Sequence, residues 1–408
     1  MNRLLLKSLL GATCLSMAVA GTANAGGFSR GSADTDIIYE DGNFNMRSSV
    51  TYVSPKREFS SNPNPALTGT RYTEDYVVPS VALKLNIFDN FRCGLTHVMN
   101  NGGSVKYDFP TASGKLLEKF DTYESGATCG IKFDLGKGRA WLLGGAFMEK
   151  LDYHRENFYG PLGDATLNLQ GTEYGYRLGA AYEIPEIAFR GQVMYRSGTE
   201  YEAEGMVNAP AGVLYSALAR QGIPDAANPF AALAATNPTQ QVPVQAIGAG
   251  NLAESIEVKL QSGIAPDWLA FGAIKWANWS DTTTLDVRSV VGGFPITTDE
   301  FYWKDGWTFT GGVAHKFNDM LSGLASFTYD RGVTTGYDLT SDNYTFSAGA
   351  SVKDKLGGEL RIGAGLTYIA SAEETKYGPN PNAFDPAFDQ AADSAWALAG
   401  SIGYAIKW

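Results

Sequence analysis

The chain has 408 residues, 12% of them aromatic and only 18% charged, with 47 glycines and a formal net charge of −11. The acidic balance excludes a nucleic-acid partner, which needs a basic footprint. Past residue 25 no apolar run reaches the roughly 18–20 residues of a spanning helix, yet the composition suits a closed membrane sheet that meets lipid with aromatic and aliphatic side chains.

Asn2, Arg3 and Lys7 open the chain, Leu4–Ala20 is apolar, and Ala23-Asn24-Ala25 is an A-x-A cleavage signal. This predicts a signal peptide over 1–25 and a mature chain beginning at Gly26. Loss of Arg3 and Lys7 with it takes the net charge from −11 to −13. Cys14 lacks a lipobox. Residues 26–43 are polar with apolar anchors at Phe28, Ile37, Ile38 and Tyr39, and read as a short N-terminal hatch that plugs the lumen or dangles. A barrel is expected over 44–408, with strands near 44–55, 75–88, 90–100, 118–135, 139–155, 167–184, 186–205, 251–265, 267–288, 297–317, 320–332, 341–354, 357–373 and 393–408. Tight turns (Asp89-Asn90, Gly136-Lys137-Gly138, Pro185, Pro266-Asp267, Asn318-Asp319, Asp354-Lys355-Leu356) alternate with long polar loops. That is the asymmetry of an outer-membrane barrel, with short turns in the periplasm and long loops outside.

Within the strands the alternation has period two. Tyr174, Tyr176 and Leu178 oppose Glu173, Arg177 and Glu183; Ile256, Val258 and Leu260 oppose Glu257, Lys259 and Gln261. Phe301, Trp303, Trp307 and Phe309 oppose Lys304, Thr308 and Thr310. The first set in each case is expected to face lipid, the second the lumen. The longest loop, 206–250, carries Ala-rich helical pieces whose apolar residues Val213, Leu214, Leu218, Phe230 and Leu233 read either as a landing site for a hydrophobic ligand or as packing on the barrel rim. The last strand sets Trp396, Leu398, Ile402, Tyr404, Ile406 and Trp408 on one face, and its aromatic end is similar to the closing strand of bacterial barrels.

Chemistry is sparse. His97, His154 and His315 are scattered, no metal-ligand spacing exists, and no metal or cofactor is expected. His154 beside Asp152 and Glu156 is the local candidate for a hydrolase and otherwise a solvated rim. Cys93 and Cys129 form a cross-strand disulfide or sit as two lipid-facing residues. The acidic loops suit outer-membrane lipid and lipopolysaccharide bridged by divalent cations, or simply solubility.

The stretches Gly171–Tyr182 and Ala188–Ser197, Glu254–Ser280 with its Trp276-Ala277-Asn278-Trp279, Phe301–Gly312 with Trp303-Lys304-Asp305, and Tyr329-Asp330 resemble, in order and spacing, the FadL/TodX family of outer-membrane transporters for long-chain fatty acids and aromatic hydrocarbons. The resemblance implies an all-β transmembrane antiparallel barrel of about fourteen strands with a hatch, no enzymatic activity, and passive uptake of a hydrophobic ligand released sideways at the third strand, here at Asn100-Asn101-Gly102-Gly103. It places headgroup cations at Arg155 and Lys304, to which lumen parity adds Arg177, Arg196 and Lys259; ion pairs that hold the interior together are the other reading of each. The hatch is short for the family, and the family's N-P-A motif stands at Asn64-Pro65-Ala66, in the first outer loop. Long-chain fatty acids are the leading expectation. Neutral aromatic hydrocarbons, a general porin for small polar solutes, and an adhesive surface protein are the alternatives.

Overall fold

Tyr174, Tyr176 and Leu178 are 73%, 50% and 56% exposed, while Arg177 between them is buried. The same sorting recurs around the whole molecule, because a strand sends successive side chains to opposite faces. The computed structural model describes residues 26–355, 357–374 and 390–408; the expected signal peptide lies outside them. Within them fourteen antiparallel strands close into a barrel. The first six are β1 (Phe44–Pro55), β2 (Tyr76–Phe88), β3 (Phe91–Lys106), β4 (Lys115–Leu135), β5 (Gly138–Phe158) and β6 (Asp164–Ile184). The next four each come in two pieces: β7 (Phe189–Arg196, Thr199–Pro210), β8 (Gln241–Leu252, Ser255–Ala265), β9 (Trp268–Ala277, Thr284–Ser289) and β10 (Pro295–Glu300, Gly306–Lys316). Then follow β11 (Leu321–Arg331), β12 (Asn343–Lys353), β13 (Gly358–Ile369) and β14 (Ala395–Lys407).

Closure is made by β1 and β14, paired from Asn45↔Lys407 to Pro55↔Ala397. At the rim the Trp408 carbonyl accepts from Asn43 N at 2.9 Å, and the Trp408 ring stacks on Phe44 at 5.3 Å. Two expectations shift in extent. β3 runs on to Lys106, and β7 and β8 stay paired from Thr199↔Leu252 to Pro210↔Gln241. The irregular insert is therefore 211–240, holding helices α1 (Ala211–Arg220) and α2 (Ala231–Thr236). Cys93 and Cys129 lie directly opposite on β3 and β4 with Cα atoms 4.0 Å apart, and they are joined as a disulfide.

Residues 26–43 lie inside the barrel. Ile37 and Ile38 are fully buried, and Tyr39 packs edge-on against Trp141 at 5.4 Å. Charges fasten the segment to the wall. Asp34 pairs with Arg47 at 2.7 Å and Asp36 with Lys259 at 3.4 Å, and the Lys84 ammonium donates to the carbonyls of Glu40 and Gly42 at 2.7 and 2.6 Å.

The wall has one discontinuity of direct relevance. Pairing between β2 and β3 stops at Ser80↔Val98. The next residue on β2 is Pro79, which has no N–H to extend the ladder. On β3 a bulge follows at Asn100, between Met99 and Asn101. Contact between the two sides resumes only at Thr73↔Val105. The intervening edge of β3 is covered by Phe28–Gly31. Arg30 N and Gly31 N donate to the Asn100 carbonyl at 2.9 and 3.2 Å, and Gly102 N donates to the Phe28 carbonyl at 2.8 Å. The Arg30 guanidinium bonds Asp121 at 2.9 Å and stacks over the Tyr76 ring at 4.1 Å. A Cβ on Gly102 would stand 2.7 Å from a guanidinium nitrogen of Arg30. A Cβ on Gly31 would stand 2.5 Å from the Met99 carbonyl oxygen, so Gly31→Val is expected to dislodge the Phe28–Gly31 segment while leaving the barrel closed. Amide exchange at Phe28–Gly31 should then rise by about tenfold or more, with heat-modifiable gel mobility unchanged.

Candidate ligand-binding site

The breaks in β7–β10 bring aromatic side chains inward. Between the pieces of β9 a 3-10 turn, Trp279–Asp281, sets Trp279 inside at 1% exposure. Between the pieces of β10, Tyr302 takes a positive φ of 44°, so the alternation loses its phase. Phe301 and Trp303, expected to face lipid, therefore turn inward, and Trp303 is buried. Trp307 and Phe309, past the break, keep the expected outer face, and Phe309 is exposed. Phe28 inserts between these rings. Its centroid lies 4.5 Å from Phe120, 5.9 Å from Trp279, 5.3 Å from Phe301 and 4.6 Å from Trp303, in edge-to-face contacts. That is the geometry aromatic quadrupoles favour.

Next to this cluster is a cavity of about 160 Å³. Its walls include Phe28, Phe120, Leu151, Leu169, Ala203, Leu252, Leu285 and Phe301, with Gly248 and Gly250 leaving room. Gly103, Ser104 and Val105 also line it, so the cavity borders the edge of β3 that β2 leaves unpaired. Its single carboxylate is Glu118, held by the Tyr153 hydroxyl at 2.7 Å and by Lys115. No lysine or arginine among the described residues lines it.

The five headgroup candidates lie elsewhere, and four are ion-paired. Arg155 bonds Asp299 at 3.0 Å and Asn157 at 2.9 Å. Arg177 is paired with Glu124. Arg196 bonds Glu124 at 2.8 Å and is also paired with Glu149. Glu149 further accepts from the hydroxyls of Thr199 and Tyr201 at 2.8 and 2.7 Å. Lys259 lies 3.4 Å from Asp36 and 3.2 Å from Glu257. Lys304 sits in the irregular stretch after Tyr302 and donates its backbone N–H to Val333; no ion pair holds its ammonium among the described residues. The structure thus places Arg177 and Arg196 on one carboxylate, with Lys259 beside the N-terminal segment and Arg155 near the outer rim.

A second, polar chamber of about 70 Å³ is lined by Asn100, Asn101, Glu124, Arg177, Arg196 and Lys275, among others. Lys275 was missed by sequence reasoning, although its neighbour Ile274 on the lipid face gives it lumen parity. It takes no ion pair among the described residues and faces this chamber. Of the four lateral-opening candidates, Asn100 and Asn101 border the polar chamber and Gly103 the apolar cavity, with Gly102 under Arg30.

The apolar loop residues are not an exposed landing surface. Leu214 and Leu218 are buried, Leu214 in one apolar cluster with Leu167, Leu169 and Val207, and Val213, Phe230 and Leu233 are half-buried. The physical reason is that α1 lays its apolar side onto the barrel rim instead of presenting it to water. His154 is on the outer face, with its ring nitrogens at 2.7 Å from Asn168 and 3.0 Å from Glu156. Asp152 bonds Gln170 instead of His154. No group of three or more metal-ligating side chains is assembled among the described residues.

Residues 28–404 match the family described as outer membrane protein transport protein (OMPP1/FadL/TodX). No curated protein sequence matches the chain. Among solved structures, the fold is similar to that of a Pseudomonas aeruginosa FadL homologue. The two are 15% identical with a TM-score of 0.71, covering 95% of this chain and 99% of that one. It is also similar to the Pseudomonas putida toluene transporter TodX, at 12% identity and a TM-score of 0.61 over 96% and 98% of the two chains. The Ralstonia pickettii toluene transporter TbuX matches at 11% identity and a TM-score of 0.60, over 97% of each chain. At these identities the likeness is one of fold.

The Arg177–Glu124–Arg196 cluster gives a stability prediction. Glu124 is 1% exposed, and removing it strands Arg177 and costs Arg196 one of its two carboxylates. Glu124→Ala is expected to destabilise the barrel by about 3–5 kcal/mol, read as a lowered urea midpoint on unfolding from detergent.

Proposed function

The chain belongs to the outer-membrane protein transport family (OMPP1/FadL/TodX), a multi-pass bacterial outer-membrane barrel, and from that premise we propose that it takes up small neutral hydrocarbons, monoaromatics foremost. The observation that carries this reading is the cavity of about 160 Å³, whose walls are mainly aromatic and aliphatic, with Glu118, Asn251, Thr282 and Thr284 among them, and carry no cation. Apolar cavities of roughly 150 Å³ stay dry and bind benzene. A neutral ring needs no counter-ion, whereas a carboxylate taken from water into such walls goes unpaid without one. Uptake is passive. The ligand enters from the outer mouth, displaces little or no water, and is held by edge and face contacts with Phe28, Phe120 and Phe301.

Release is proposed to run sideways, between β2 and β3. Gly103–Val105 belong both to the cavity wall and to the β3 edge that β2 leaves unpaired. Opening there requires Phe28–Gly31 to leave that edge. It breaks three backbone hydrogen bonds and the Arg30–Asp121 ion pair, and no pairing between barrel strands.

Long-chain fatty acids remain a second reading, and Lys275 is the observation that favours it. Its ammonium borders the polar chamber beside Asn100 and Asn101 and takes no ion pair among the described residues. A general porin would conduct ions steadily, and the Phe28 cluster and the paired charges speak against so open a lumen.

Binding of radiolabelled toluene and oleate to the detergent-purified protein separates these readings. Toluene is expected to bind saturably, to be lost in Ala203→Trp, which fills the cavity, and to be indifferent to Lys275→Gln and Lys304→Ala. Saturable oleate binding that either lysine variant weakens by about tenfold, the scale of a lost charge-assisted hydrogen bond, would transfer the assignment to fatty acids. Sideways release has its own test. Ser29 and Asn101 form a non-hydrogen-bonded antiparallel pair, flanked by the Arg30–Asn100 and Gly102–Phe28 bonds, a geometry with Cα atoms close enough for a disulfide. The double variant Ser29→Cys, Asn101→Cys is expected to bind toluene but to lose uptake into cells when oxidised. Uptake should return on reduction, under conditions in which the parent protein is unaffected. Full uptake by the oxidised variant would exclude this exit.

A further inference from the structure

The polar atoms in the wall of the apolar cavity are of one kind. Among the described residues, each wall side chain with a hydrogen-bond donor is already committed to an acceptor of the protein. Ser104 donates to Glu74. Tyr153 donates to Glu118 and Tyr201 to Glu149, each at 2.7 Å. Thr284 donates to Asp286 at 2.9 Å, Thr282 to the Asn251 carbonyl at 3.3 Å, and Asn251 to the Asp281 carbonyl at 3.0 Å. Carboxylates and backbone carbonyls only accept, so the direction of each bond is fixed. Of all these donors, the second amide hydrogen of Asn251 alone is left over.

Acceptors are a different matter. Glu118 takes the Tyr153 hydroxyl on Oε1 and the Lys115 ammonium on Oε2. A carboxylate has about four lone-pair sites, so each oxygen keeps one for a ligand. The charge of Glu118 is nonetheless answered. Lys115 pairs with it and also lies 3.5 Å from Asp299, which Arg155 holds at 3.0 Å. Two carboxylates thus face two cations. The wall offers a ligand free acceptor sites without an uncompensated charge.

We propose that Glu118 determines specificity as a hydrogen-bond acceptor, and that the cavity prefers a single aromatic ring bearing a hydroxyl, a phenol, over rings without a donor. The proposal rests on the reading of this cavity as the site of a neutral ring, and it names the substituent that the ring carries. Phenolic hydroxyls ionise near pH 10, so a phenol is neutral at pH 7 and needs no counter-ion. Its ring lies against Phe28, Phe120 and Phe301, and its hydroxyl donates to Glu118. A hydrogen bond to an ionised acceptor is about twice as strong as one between neutral groups. An aromatic ether or ketone carries acceptors alone and meets a wall whose donors are taken. A carboxylate meets Glu118 as a like charge. Toluene leaves Glu118 with both of its protein partners, so no group is orphaned and the bare ring is still accepted. Selection is therefore a preference and not an exclusion.

Competition against radiolabelled toluene on the detergent-purified protein tests this, with phenol and its methyl ether, anisole, as competitors. In the parent, phenol is expected to bind about tenfold more tightly than anisole, the scale of one charge-assisted bond. The ratio of the two affinities is the readout, because a general loosening of the cavity lowers both. Glu118→Gln puts a neutral amide in place of the ionised acceptor, and the ratio should fall to about threefold or less. Tyr153→Phe keeps the ring but removes the donor that competes for Oε1, and the ratio should rise above the parent's. That opposite shift also decides the matter if Glu118→Gln does not fold. Absence of a phenol advantage in the parent, or an unchanged ratio in either folded variant, would overturn the role of Glu118; toluene that still binds and is lost in Ala203→Trp would leave the cavity as the ligand site. If neither toluene nor phenol binds saturably, or both survive Ala203→Trp, the cavity reading falls and this inference falls with it.

Discussion

Hydrocarbon offers no hydrogen bond to a peptide group, so each backbone N–H and C=O at membrane depth must find a partner within the protein. Pairing of β1 with β14 meets that demand for the barrel as a whole, since it leaves no free edge. The rule also explains a place where the wall is incomplete. Pro79 cannot continue the ladder from β2, and β3 bulges at Asn100. The backbone beyond would stand unpaired, and the N-terminal segment supplies the missing partners through Phe28, Arg30 and Gly31. A stretch of 26–43 that reads as a plug of the lumen is thus also a patch in the wall. The two tasks are joined in one residue, because the Phe28 carbonyl serves the wall while its ring serves the cluster.

The interior divides by polarity. On one side of the aromatic cluster, Arg177, Arg196, Glu124 and Glu149 share hydrogen bonds and leave few polar atoms unanswered. On the other, the cavity is walled by rings and aliphatic side chains. Buried charges are tolerated in the first zone because they meet one another at hydrogen-bonding distance. The second stays apolar because its inward residues on β6 to β9 are Leu169, Ala203, Gly248 and Leu285. A hydrophobic solute crossing the outer membrane needs the second zone.

Much of this was legible in the residues. Period-two alternation, tight turns against long loops, and an aromatic last strand reflect constraints that lipid and water impose locally, and they were enough for the strand order and the facing of Tyr174, Arg177, Ile256 and Lys259. Breaks in the alternation were less visible. Trp279, Phe301 and Trp303 carry no local mark that separates a lipid-facing aromatic from one turned inward. The deciding event was a positive φ at Tyr302 and a 3-10 turn at Trp279, made where four neighbouring strands are interrupted at one level.

By itself, then, the sequence determined that this chain forms a closed antiparallel barrel with its aromatic side to lipid and lumenal cations along β5 to β10, because side-chain alternation needs only neighbours in the chain. Only the tertiary structure decided which cations are spoken for. Arg177 and Arg196 meet Glu124 from other strands, and Lys259 meets Asp36 across 223 residues. It also decided that Cys93 meets Cys129, that α1 lies on the rim, and that the cavity is apolar. Each of these depends on the register between strands far apart in the chain, which no local pattern encodes.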